Sequence, residues 1–148
     1  MNDIEIVFPG GKRVDARVGR HLVRTDQPVS AGGEDSAVAP FDLFLASIGS
    51  CAGIYVVGFC QARKISTEGI RIVQHQRTDE AGHLVGVDLE VVLPESFPAR
   101  YRDAVAQAAA GCKVKKTLAA PPVFTVRSVS EEAPGSHPQR EGSSASTV

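Results

Sequence analysis

Three cysteines are the side chains of this chain best suited to chemistry, and their settings differ. Cys51 stands inside residues 40–61, PFDLFLASIGSCAGIYVVGFCQ, a run almost free of polar residues. A free cysteine there ordinarily packs as a small apolar side chain. Cys60 follows nine residues later. At about 100° per residue that is half a helical turn, so the two face opposite sides and cannot share a disulfide. Cys60 reads as packing. Cys112 follows Gly111 where a helix should begin, and unpaired N–H groups and the helix dipole favour a thiolate there. Lys113, Lys115 and Lys116 add positive charge beside it. Spacing alone leaves open whether Cys51 and Cys112 meet in space.

Other chemistries find less support. The four histidines, His21, His75, His83 and His137, are scattered without ligand spacing, and the cysteines form no CxxC pair. Neither a metal site nor a bound cofactor is expected. Net charge is −1 with acids and bases interspersed, so no electrostatic footprint for nucleic acid or anionic lipid exists. An odd cysteine count fits a reducing cytoplasm, and MNDIEIVF lacks the basic and apolar regions of a signal peptide. The uncharged run within residues 43–60 is long enough to cross a membrane. Gly49, Gly53, Gly58, Ser47 and Ser50 dilute it, and amphipathic strands flank it. A soluble domain closing over this helix is the expectation.

The elements that must position the thiols follow from periodicity. Ile4, Ile6 and Phe8 alternate with other residues, Pro9-Gly10-Gly11 turns, residues 13–18 alternate again, and residues 21–25 form a third short strand. Residues 26–39, with Pro28, Gly32 and Gly33, make a long loop into the central helix. Pro40 suits a first helical turn and Asp42 faces the positive end of the dipole. Apolar residues fall on every face, so the helix should be buried all round, which a dimer achieves more easily than one chain. Arg63 and Lys64 suit its C-terminus. Residues 70–78 and 84–93 read as a hairpin, 99–111 and 112–118 as helices, and 123–129 as a last strand. Residues 131–148 are polar and rich in Ser, Gly and Pro, which is the composition of a disordered tail. This order gives one α+β domain over residues 1–130 with antiparallel sheets.

Pro40-Phe41-Asp42-Leu43 opening a helix that reaches Cys51, followed by Gly111-Cys112-Lys113-Val114-Lys115-Lys116, resembles the OsmC/Ohr family. These are the osmotically inducible and organic hydroperoxide resistance proteins. The resemblance spans about residues 4–129 and includes the element order. It implies antiparallel sheets wrapped around a long central helix in an intertwined homodimer. It also implies a thiol peroxidase. In that cycle Cys51 attacks an organic hydroperoxide, Cys112 closes a disulfide on the resulting sulfenic acid, and a small dithiol or lipoyl-bearing protein reduces it.

Members of the family hold the reactive thiolate with an arginine fixed by a carboxylate. Asp42 matches the acid by motif, although nine residues put it half a turn from Cys51, so it would act from a frayed first turn or across the dimer. Arg24, before the long loop, is the favoured arginine and Arg13 the other candidate. Two departures stand out: Lys113 replaces the common proline, and the acid is Asp rather than the longer Glu. Two further readings remain: a non-catalytic dimer holding a small apolar ligand, and a redox sensor.

Overall fold

The computed structural model describes residues 3–130. Three antiparallel strands come first: β1 (Ile4–Gly10), β2 (Arg13–Val18) and β3 (His21–Val23), in the order β1-β2-β3. Ile4 pairs with Val18 and Ile6 with Ala16, and the register shifts between Val7 and Gly10 as the chain turns. The central helix α1 (Pro40–Ala62) follows, then a hairpin of β4 (Arg71–Thr78) and β5 (Leu84–Val92), then the short helices α2 (Arg102–Ala110) and α3 (Lys113–Ala119).

The 23 residues of α1 bury one stripe, Ile48, Ala52, Val56 and Cys60. Steps of four keep these side chains on one face of the helix. Val105 and Ala109 of α2 repeat the step, and with Phe97 and Cys112 they close the core against Ala52, Val56 and Cys60. Val105 is fully enclosed. Val105→Ala should leave a cavity and cost about 2 kcal/mol, read as a lower midpoint in denaturant unfolding with unchanged slope.

Helix α1 departs from the expectation of burial on every face. Within one protomer Phe41 and Ile54 are 57% and 70% exposed. Among the described residues, α2, α3 and β4 make the main contacts with the rod, and these leave Phe41 and Ile54 uncovered. At its C-terminus the Arg63 guanidinium donates to the Phe59 carbonyl and stacks 3.8 Å over the Phe59 ring. That uses a cation where the dipole favours one.

A second correction concerns residues 123–129, expected as a last strand, which pair with none of the described strands. A strand needs a neighbour for its backbone groups, and none of the described strands lies alongside. Val123, Phe124, Val126 and Val129 are all exposed. The tail expected over 131–148 lies outside the described residues.

The loop between β3 and α1 is organised by one carboxylate. Asp26 is buried and accepts hydrogen bonds from the backbone N–H of Gln27, Glu34 and Ser36 and from the Ser36 hydroxyl. Gly33 is obligatory here, since a Cβ would sit 1.9 Å from the Gln27 carbonyl oxygen. The Ser36 hydroxyl and N–H, ahead of the other donors, draw the Asp26 pKa from the ordinary 3.8 to about 2. A depressed carboxylate stabilises the fold above its unfolded-state pKa, and that contribution is lost as pH falls through the folded value. Thermal melts should therefore show wild-type stability falling between about pH 4 and 2, and Asp26→Asn should be less stable at neutral pH with a shallower fall over that window.

Candidate active site

Cys51 occupies the flank of the buried stripe of α1 and is partly exposed, whereas Cys60 and Cys112 are completely buried. What faces Cys51 is the junction between α2 and α3. Gly111 lets the chain turn there: a Cβ at this position would lie 3.3 Å from both the Ala108 carbonyl oxygen and the Tyr55 ring. Tyr55, one helical turn beyond Cys51, thus walls the turn that delivers Cys112. Cys112 is the N-cap of α3, with its carbonyl accepting the first intrahelical bond from Lys116 N–H at 3.2 Å. Its thiol points back to α1, 3.8 Å from the Ile48 carbonyl oxygen.

Cys51 packs against the buried cluster that contains Cys112. The backbone N–H of Val114 is the strongest influence on the Cys51 thiol, followed by a hydrogen bond from the Cys112 side chain. Lys113 N–H and the positive charge of Lys115 act in the same sense, and partial burial opposes them. The balance holds the Cys51 thiol below its ordinary pKa, through free N–H groups at a helix start. Cys60 differs: burial pushes its thiol up, so it remains protonated and inert.

The remaining sequence candidates lie elsewhere in the protomer. Asp42 lines a groove of about 600 Å³ between α1 and β4, together with Gly49, Ser50, Gly53, Arg71 and Gln74. Arg24 and Arg13 share a separate hollow on the first sheet with Asp15, Thr25 and Ser36. The charge that bears on Cys51 within the protomer is that of Lys115 instead. Sequence reasoning noted the lysine run after Cys112 but could not select one, because selection depends on how α3 meets α1. The backbone N–H groups of Lys113 and Val114 carry no side-chain signature and were invisible to it.

The model of the OsmC-like protein family matches residues 33–127, which includes both cysteine segments and most of the described chain. The chain belongs to the OsmC-like family. Solved structures agree on the fold. An OsmC-like protein from Mycoplasma pneumoniae superposes with a TM-score of 0.61 at 15% identity, covering 80% of this chain and 87% of that one. A Psychrobacter arcticus protein, provisionally assigned to osmotic stress induction and detoxification, gives 0.67 at 19% identity, covering 79% and 88%. An organic hydroperoxide resistance protein OsmC from Legionella pneumophila gives 0.52 at 24% identity, covering 80% and 90%. No curated protein matches the chain by sequence. By length and composition alone α1 would suffice to span a membrane, but in this OsmC-like domain it is the rod around which the fold is assembled.

Proposed function

We propose that this protein reduces organic hydroperoxides to alcohols, with Cys51 as the reacting thiol and Cys112 as the resolving one. The Cys51 thiolate attacks the distal oxygen of the hydroperoxide. The O–O bond breaks, the alkoxide takes a proton and leaves as alcohol, and Cys51 becomes a sulfenic acid. The Cys112 sulfur then attacks the Cys51 sulfur, water leaves, and a disulfide forms. An external dithiol, either a small molecule or a lipoyl-bearing protein, exchanges with that disulfide and restores both thiols.

The observation that carries this reading is the packing of Cys51 against the cluster that contains Cys112, with the start of α3 drawing its thiol below the ordinary pKa. Membership in the OsmC-like family, whose solved members include organic hydroperoxide resistance proteins, supports it. Free thiols require a reducing compartment, and on this reading the protein works in the cytoplasm.

The working unit on this reading is an intertwined homodimer. Phe41 and Ile54 of α1, together with Val123, Phe124, Val126 and Val129, are large apolar side chains that this chain leaves exposed. That exposed surface fits cover by a second copy. On this reading Asp42, placed by its motif, and Arg24, placed before the long loop, would act on the opposite protomer's Cys51.

The test is consumption of cumene hydroperoxide in the presence of dithiothreitol by the full chain. Catalytic loss of peroxide supports the reading, and a rate equal to that of dithiol alone rejects it. The groove itself favours a second reading, a non-catalytic dimer that holds a small apolar ligand. That reading predicts inert thiols and a ligand that stays with the purified protein in native mass spectrometry.

A further inference from the structure

Helices α2 and α3 are joined by only two residues, Gly111 and Cys112. Whatever holds Gly111 therefore sets where the Cys112 sulfur can go. Gly111 has φ −70° and ψ 2°, a negative-φ conformation that other residues adopt in turns, so its backbone does not demand glycine. Packing restricts the position instead. A Cβ there would lie 3.3 Å and 3.4 Å from Cε1 and Cδ1 of Tyr55, and 3.3 Å from the Ala108 carbonyl oxygen. The Gly111 N–H donates to that same carbonyl at 3.0 Å. The link is thus held by α2 on one side and by the Tyr55 ring of α1 on the other.

Tyr55 follows Cys51 by four residues, so the two are neighbours on one face of α1. A helical side chain leans over the turn that precedes it, which carries the ring toward Cys51. Ala52 and Val56 beside them are buried, whereas Tyr55 is 39% exposed and Cys51 half-buried. The ring therefore stands at the edge of the core, one turn beyond Cys51 and against the residue before Cys112. Cys112 is enclosed, with its thiol 3.8 Å from the Ile48 carbonyl oxygen, so its reach depends on how the link is held.

We propose that Tyr55 is a positioning residue for disulfide closure: its ring, seated on Gly111, holds the two-residue link so that Cys112 stays within reach of Cys51. The inference rests on the reading that these two cysteines pair. A disulfide needs its Cα atoms within about 4.4–6.8 Å. Cys51 lies inside a long helix and has little freedom to adjust, so the adjustment falls to the link. Ring carbons make the contact, so the ring and not the hydroxyl holds Gly111. Phe59 and Tyr101 are engaged elsewhere, edge to face at 5.9 Å beside Arg63 at the C-terminal end of α1.

Glutathione redox buffers applied to the reduced full chain, with acid quench and peptide mass spectrometry, test this without any peroxide. The Cys51 thiolate attacks oxidised glutathione, one glutathione leaves as thiolate, and a mixed disulfide forms. Cys112 then attacks the Cys51 sulfur and the second glutathione leaves, so two protein thiols are oxidised as one glutathione disulfide is reduced. Tyr55→Ala should form the mixed disulfide at a rate within about threefold of wild type. It should lower the equilibrium constant for closure about tenfold, or about 30 mV in potential. Tyr55→Phe keeps the ring and should match wild type. Wild-type closure in Tyr55→Ala, or a loss in Tyr55→Phe as large as in Tyr55→Ala, overturns the proposal. If Tyr55→Ala does not fold, Tyr55→Leu, which keeps bulk but not the flat edge, takes its place under the same criteria. Failure is distinguishable from failure of the peroxidase reading. Peroxide turnover in a Tyr55→Ala chain that closes as wild type does sinks only the tyrosine. Closure weakened as expected, in a protein that leaves peroxide unreduced, sinks only the peroxidase. A wild-type chain that forms no Cys51–Cys112 disulfide sinks both.

Discussion

Replacing Cys51 with serine should reduce dithiol-dependent consumption of cumene hydroperoxide to background, a loss of about a thousandfold or more. A serine hydroxyl at this place meets the same Val114 and Lys113 N–H groups. It stays protonated at neutral pH, however, and is a poor nucleophile toward peroxide oxygen. Cys60→Ala is the matched control. Its thiol is buried in the core and held protonated by that burial, so its removal should change turnover by no more than about twofold while lowering stability. Stopped-flow or endpoint peroxide assays on the two variants separate a reacting thiol from a packing one. Equal activity in both would remove Cys51 from the chemistry.

Cys112→Ser should behave differently from both. The first peroxide should still be consumed, because attack needs only Cys51, and alcohol should appear in a single stoichiometric burst. No disulfide can follow, so steady turnover should fall about tenfold or more and become proportional to dithiol concentration. The sulfenic acid left on Cys51 should be trapped by dimedone and, without a trap, pass on to sulfinic acid at excess peroxide. Both species are visible as mass increments on the Cys51 peptide. If Cys112→Ser turned over as wild type does, the resolving role would be wrong even with Cys51 correctly assigned.

Much of the architecture was legible because it is written in periods of two and of nearly four. The alternation of Ile4, Ile6 and Phe8 marks a strand, although all three stay exposed in this chain, and the alternation of the hairpin strands marks their inner face. The apolar run from Leu43 to Phe59, opened by Pro40 and Asp42, could be little else than a core helix. Where the reading stopped, the missing quantity was always a neighbour. Residues 123–129 have the pattern of a strand, but pattern does not supply the strand beside it. Likewise the apolar residues all round α1 describe a rod that needs cover, and the described residues of this chain cover only one side of it.

The site divides along the same line. Cys112 at a helix start was readable from Gly111 and the lysines that follow. That its sulfur points to α1, and that the backbone of Lys113 and Val114 faces Cys51, depends on the angle between three helices, which local sequence does not encode. Asp42 and Arg24 illustrate the converse. Motif position nominated Asp42, and its place before the long loop nominated Arg24; each lines a different hollow of this chain, so a role at Cys51 rests on the second copy that we propose.

A thiol count with peptide mapping after one equivalent of alkyl hydroperoxide addresses the pairing of the two sulfurs most directly. The reduced full chain, denatured before alkylation, should lose two free thiols per chain and yield a cross-linked peptide pair joining Cys51 to Cys112, with Cys60 recovered as its alkylated peptide. Retention of all three thiols, or loss of thiols without that cross-link, would contradict it.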